Sequence, residues 1–264
     1  MRETPGMALA LTHVTSDALL MSTSLAVVLP QTESVEPPPV LYLLHGLSDD
    51  DTAWVRRSSI ERYAQDRGIA VVMPRVERSF YQDMAHGERY WTYVSEELPR
   101  IVRSLFRVSD RREDTFVAGL SMGGYGAMRL ALLRPELFAA AASLSGALDM
   151  ADPEMPRQRP DLYENAFGGR EIAGTDADLH ALLARATPAD TPRLFVACGT
   201  EDDLWGMQQP FVDAARARGL DVTHLWSAGE HDWPYWDARI QDVLDWLPIR
   251  SRAGRRDEDA AGVS

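Results

Sequence analysis

One cysteine, Cys198, stands in 264 residues, so no intrachain disulfide can staple the chain. A lone thiol fits a reducing compartment, and the expected location is the cytoplasm. Long apolar runs are missing too: none reaches the ~18 residues that a membrane-spanning helix needs. The opening residues, Met1-Arg-Glu-Thr-Pro-Gly-Met7, lack a basic stretch followed by an apolar one, so no secretory signal is expected. Basic residues are in deficit, with 27 Lys and Arg against 40 Asp and Glu, which gives 27 − 40 = −13. That charge argues against nucleic acid or an anionic membrane surface as partner, since both attract cations. No grouping of Cys, His and Asp has metal-ligand spacing, so neither a metal nor a cofactor is expected.

What is present suffices for a packed core, because 45% of the residues are apolar. Strand-like runs rich in β-branched residues lie at 40–44, 69–73, 116–120, 139–144, 194–198 and 222–226. Helical patterns at 58–66, 96–106, 124–133, 209–218 and 235–247 separate them. Runs at 7–14 and 19–29 read as an antiparallel pair ahead of this series. Alternating strand and helix predicts an α/β fold with a mainly parallel central sheet and helices on both faces. Residues 148–190 break the rhythm with Pro153, Pro156, Pro160 and Gly168-Gly169. They read as a small insertion, a candidate lid over the carboxyl end of the sheet. Without a repeat or a second rhythm, residues 1–249 form one domain, and the charged tail 250–264 is expected to be disordered.

The most specific motif is Gly119-Leu-Ser-Met-Gly123, a G-x-S-x-G run between the strand at 116–120 and the following helix. A serine on so sharp a strand-to-helix turn takes a strained backbone and presents its hydroxyl above the sheet. Ser121 is therefore the candidate nucleophile. A hydroxyl attacks only when a base removes its proton, and that base is usually a histidine held by a carboxylate. In this architecture the acid and then the histidine follow the serine along the chain. Among six histidines, His231 fits best, in a Gly-containing loop after the last strand. His224, inside a strand-like run, reads as a packed structural residue. Glu201, Asp202 and Asp203 follow the strand at 194–198, and spacing does not choose among them. Asp232 adjoins His231 and points elsewhere on a normal backbone.

Acyl transfer also needs N–H donors aimed at the developing oxyanion. Met122 N–H, directly after the nucleophile, is one candidate. Leu47 N–H, after the His45-Gly46 end of an earlier strand, is the other. His45 itself reads as a brace for that loop. Trp54, Trp91 and Trp233 are candidate walls of an acyl pocket, weighed against ordinary packing.

Several segments together resemble the tributyrin esterase family, a branch of the α/β-hydrolases related to esterase D, the S-formylglutathione hydrolases. They are Leu43-Leu-His-Gly-Leu-Ser48 with Trp54, Ser79-Phe-Tyr-Gln-Asp-Met84, Tyr90-Trp-Thr-Tyr93, Ala118 to Gly126, Ala142 to Ala147, Cys198 to Asp202 and Gly229 to Trp236. The resemblance implies an α/β-hydrolase fold and a serine carboxylesterase favouring short acyl chains. It carries the nucleophile onto Ser121, the acid onto Asp202 and the base onto His231, with Leu47 and Met122 as the oxyanion pair. The partner it implies is a small-molecule ester, and a homo-oligomer is left open. Rival readings are an S-formylglutathione thioesterase, an acyltransferase, and a non-catalytic binding module on a hydrolase scaffold.

Overall fold

The structure is a computed structural model that describes residues 6–31 and 34–249; the tail 250–264 lies outside the described residues. The chain opens with a hairpin of β1 (Met7–Ser16) and β2 (Met21–Pro30). Next come β3 (Val40–Leu44), α1 (Ala53–Arg57), α2 (Ile60–Arg67) and β4 (Ala70–Pro74). A composite helix follows: α3 (Tyr90–Thr92), a π-helical turn (Tyr93–Glu97) and α4 (Leu98–Leu105). Then β5 (Thr115–Leu120) leads into α5 (Met122–Leu133), and β6 (Ala140–Leu144) follows. Short helices α6 (Met155–Gln158), α7 (Pro160–Phe167) and α8 (Leu179–Arg185) precede β7 (Arg193–Gly199). The series closes with α9 (Trp205–Ala217), β8 (Val222–Ser227) and α10 (Trp233–Trp246).

These strands make one 8-stranded sheet in the order β1-β2-β4-β3-β5-β6-β7-β8. Both pairings of β2 are antiparallel, and every pairing from β4 to β8 is parallel. Continuous apolar runs predict strands covered on both faces, and every residue of β3, β4 and β6 is buried. Alternation sends their side chains to opposite sides: Val40, Tyr42 and Leu44 join a core with α5 and α9, Leu41 and Leu43 one with α2 and α10.

The differences from the sequence reading have local causes. β8 is an edge strand, half-exposed at all six positions, so His224 is not packed in a core; its Nδ1 lies 2.6 Å from the Arg216 guanidinium. α9 starts four residues earlier than expected, at Trp205 rather than Gln209, with Pro210 inside it. Gln209-Pro210 resembles a helix start because proline favours the first turn. Residues 148–190, read as a small insertion and candidate lid, carry α6, α7 and α8. Leu162, Tyr163 and Phe167 enter the α5-side core, while Tyr125 Oη donates to Ala177 O at 2.7 Å and Arg129 donates to Asp176 O at 2.9 Å.

Candidate active site

β5 lies inside the sheet between β3 and β6, and its end delivers Ser121 to the carboxyl edge, where such sheets place their ligand sites. Ser121 has φ 53° and ψ −116°, a region that side chains other than glycine rarely adopt. The turn is affordable only because its flanks are bare. A Cβ on Gly119 would sit 2.3 Å from Gly123 O, and one on Gly123 would sit 2.5 Å from Leu44 O. Ser121 N–H donates to Leu144 O at 2.9 Å, which ties the elbow to the next strand.

The loop after β8 brings His231 over this serine, with Nε2 3.0 Å from Ser121 Oγ. Its Nδ1 lies 3.0 Å from both carboxylate oxygens of Asp202, on the loop after β7. A carboxylate only accepts, so Nδ1 carries the proton and the Nε2 lone pair faces the serine hydroxyl. The Asp202 side chain is fully buried. Burial alone would raise its pKa, yet hydrogen bonds from His231, Leu204 N–H and Ser145 together hold the carboxyl below its ordinary range. Asp202 therefore stays charged and keeps the imidazole in one tautomer.

The neighbouring acids have other tasks. Glu201 accepts from Gly229 N–H at 2.6 Å, and its own N–H donates to Gly229 O at 3.1 Å, which clamps the loop that carries His231. Asp203 is exposed, and Asp232 caps α10 by accepting from Tyr235 N–H at 3.1 Å. The clamp by Glu201 was invisible in the sequence, because it depends on a loop 28 residues away.

Leu47 follows β3 and Met122 begins α5; neither N–H donates to another described residue. The first N–H groups of a helix have no partner within it, so that of Met122 is free for a ligand. The Leu47 peptide is set by His45. Val76 N–H donates to His45 Nε2 at 3.1 Å, so the ring proton is on Nδ1, which donates to Gly46 O at 2.7 Å. Burial holds the His45 pKa below its usual value, which favours this neutral form. Gly46 C=O and Leu47 N–H share one trans peptide and point in opposite directions. Holding the carbonyl thus aims the amide. His45→Gln is expected to lower kcat towards the roughly 10²–10³-fold cost of losing an oxyanion donor, with KM little changed. Steady-state kinetics on p-nitrophenyl acetate measures this, and an unchanged kcat would refute it.

The tryptophans divide. Trp54 is 1% exposed, and its indole donates to Leu44 O at 3.2 Å, so it packs behind the site instead of lining it. The Arg129 guanidinium lies over Trp91, 4.0 Å from the ring centroid, on the α5 side. Trp233 is half-exposed two residues from His231 and meets Trp54 edge-on at 5.1 Å. Among the described residues no cluster of His, Cys, Asp and Glu could hold a metal ion, and no helix is long and apolar enough to cross a membrane.

The strand order, the elbow serine and the His–Asp pair behind it define an α/β-hydrolase of the serine type. The chain belongs to the Esterase family, whose model, described as "Putative esterase", matches residues 16–247. It is 31% identical over 218 residues to an acetyl esterase from Caldicellulosiruptor saccharolyticus, covering 78% of this chain and 82% of the relative. Among solved structures, it is similar to a fluorophosphonate-binding serine hydrolase F of Staphylococcus aureus in a substrate-bound state. That match has 32% identity and a TM-score of 0.85, covering 93% of this chain and all of the other. An S-formylglutathione hydrolase from the same organism matches with 33% identity and a TM-score of 0.80, covering 91% and 98% of the two chains. The protein is a serine carboxylic ester hydrolase.

Proposed function

We propose that the protein hydrolyses short-chain carboxylic esters through an acyl intermediate on Ser121. One observation carries this reading: Ser121 Oγ, His231 Nε2 and Asp202 form a continuous hydrogen-bonded line at the sheet edge. His231 takes the hydroxyl proton as Ser121 Oγ attacks the ester carbonyl. Leu47 and Met122 N–H groups receive the developing oxyanion. As the tetrahedral intermediate collapses, His231 returns the proton to the leaving alkoxide and the alcohol departs. Water, deprotonated by the same imidazole, then attacks the acyl-enzyme, and the carboxylic acid leaves Ser121 free. Asp202 stabilises the imidazolium in both halves.

The likeness to an acetyl esterase supports a short acyl group. Trp233, with its half-exposed ring beside His231, is the candidate acyl-side contact. The single cysteine, itself buried, is in keeping with a reducing cytoplasm. A second reading, thioester hydrolysis, rests on the S-formylglutathione hydrolase match. Both use the same machinery, so the leaving group must discriminate. We expect kcat/KM to fall from p-nitrophenyl acetate through butyrate to octanoate, and to exceed that for S-formylglutathione. A clear preference for the thioester or for octanoate would overturn the short-chain ester reading.

A further inference from the structure

The loop after β6 lies directly against the nucleophile elbow. A Cβ on Gly124 would sit 2.8 Å from Gly146 Cα, so this loop packs on the first turn of α5. Ala147 N–H donates to Ser121 O at 3.2 Å, beside the Tyr125 N–H that reaches the same oxygen at 3.1 Å. The acid arrives on a different loop, after β7, where Leu204 N–H donates to Asp202 Oδ1 at 2.7 Å. His231 has to span the two, with 3.0 Å to Ser121 Oγ and 3.0 Å to the Asp202 carboxylate. The separation of the two loops therefore decides whether the hydrogen-bonded line closes.

One buried side chain joins these loops. Gln208 of α9, 0% exposed, donates through Nε2 to Gly146 O at 2.7 Å and to Leu204 O at 2.8 Å. Both amide hydrogens are used, and an oxygen in that place would face two acceptors, so the orientation of the amide is fixed. Gly146 C=O and Ala147 N–H belong to one trans peptide, which is held by Gln208 at one end and by Ser121 O at the other. Neither carbonyl depends on Gln208 for a partner. Leu204 O also accepts Met207 N–H at 3.1 Å, and Gly146 O also accepts Leu148 N–H at 2.9 Å. Gln208 Oε1 accepts nothing from the described residues. Burying an amide with an idle acceptor costs stability that an apolar side chain of similar shape would not. What the amide adds is a fixed span between two loops.

We propose that Gln208 is a positioning residue: its amide holds the Asp202 loop against the Ser121 elbow at the separation that His231 spans. The inference rests on the Ser121–His231–Asp202 reading above. Without the amide the two loops are free to shift, and His231 loses its reach to one of its partners. That cost passes through the Asp202–His231–Ser121 line, so it must vanish where the line is already broken. A Gln208 that merely filled space would impose its cost with or without the Asp202 carboxylate.

Gln208→Met keeps the length of the side chain and removes both donors. The test makes it in the wild-type protein and in Asp202→Asn, with Gln208→Leu as a second apolar variant. Thermal melts report folding, and kcat and KM for p-nitrophenyl acetate are measured in each. In the wild-type background kcat should fall about tenfold to a hundredfold with KM little changed, the scale of an ångström-sized misplacement. In the Asp202→Asn background the same substitution should cost less than about threefold, since members of one catalytic unit do not add. A folded variant with wild-type kcat overturns the role of Gln208, and so does an equal loss in both backgrounds. Failure of both apolar variants to fold overturns it too, because the amide would then serve the fold. Asp202→Asn alone separates the two levels. Near-wild-type activity there removes the triad reading and this inference with it, whereas a severe loss there beside an additive Gln208→Met removes this inference alone.

Discussion

Ser121→Ala is expected to lower kcat by about 10⁴–10⁶ while leaving the fold and substrate binding nearly intact, as for other serine triads. Nothing else in the described site offers a nucleophile in the same place. Cys198, the single cysteine, is buried, and burial pushes its thiol up, away from the reactive thiolate. The substitution leaves His231 and Asp202 as they are, so residual hydrolysis would come from the oxyanion donors and bound water alone. Alanine at φ 53° keeps the strain without the hydroxyl, and a methyl-sized side chain fits where serine did. Thermal melting should therefore change little. Activity near wild type in Ser121→Ala would remove the serine from the mechanism.

Asp202→Asn should be nearly as damaging, at about 10⁴ in kcat, because an amide donor beside Nδ1 favours the wrong imidazole tautomer. The neighbouring Asp203→Asn is the matched control, and it should stay within about threefold of wild type, as exposed surface substitutions usually do. The contrast follows from burial: the Asp202 carboxylate is enclosed and meets Nδ1 at 3.0 Å, whereas Asp203 faces solvent. Equal losses in the two variants, or a larger one at Asp203, would move the acid off Asp202. Because its hydrogen bonds hold the Asp202 carboxyl below the ordinary range, its contribution to stability is complete at neutral pH. That contribution is lost as pH falls through the depressed value. Asp202→Asn should accordingly flatten the acid side of the stability profile, a readout independent of turnover.

Much of this site was legible in the residue order. β3, β5 and β7 read correctly because strands buried on both faces leave unbroken apolar runs, and such runs fix where the carboxyl edge lies. Gly119 and Gly123 flanked Ser121 for a steric reason that the contacts with Gly123 O and Leu44 O make explicit. The edge position of β8 was not legible, since exposure depends on what pairs beside a strand, and Val222 to Trp226 still carries three apolar side chains beside Thr223 and His224. Nor could spacing pick Asp202 from Glu201-Asp202-Asp203. One turn of loop carries all three, and only the folded backbone decides which carboxylate meets the histidine. Trp54 drew attention as an aromatic near the site, yet its indole serves the end of β3.

The most direct test of the mechanism is to trap the acyl-enzyme. Wild-type protein mixed with p-nitrophenyl acetate, quenched in acid within the burst and digested, should show one added acetyl group, on the peptide containing Ser121. Ser121→Ala should show none. Wild-type turnover without an adduct, or with the acetyl group on any other side chain, would contradict covalent catalysis by Ser121.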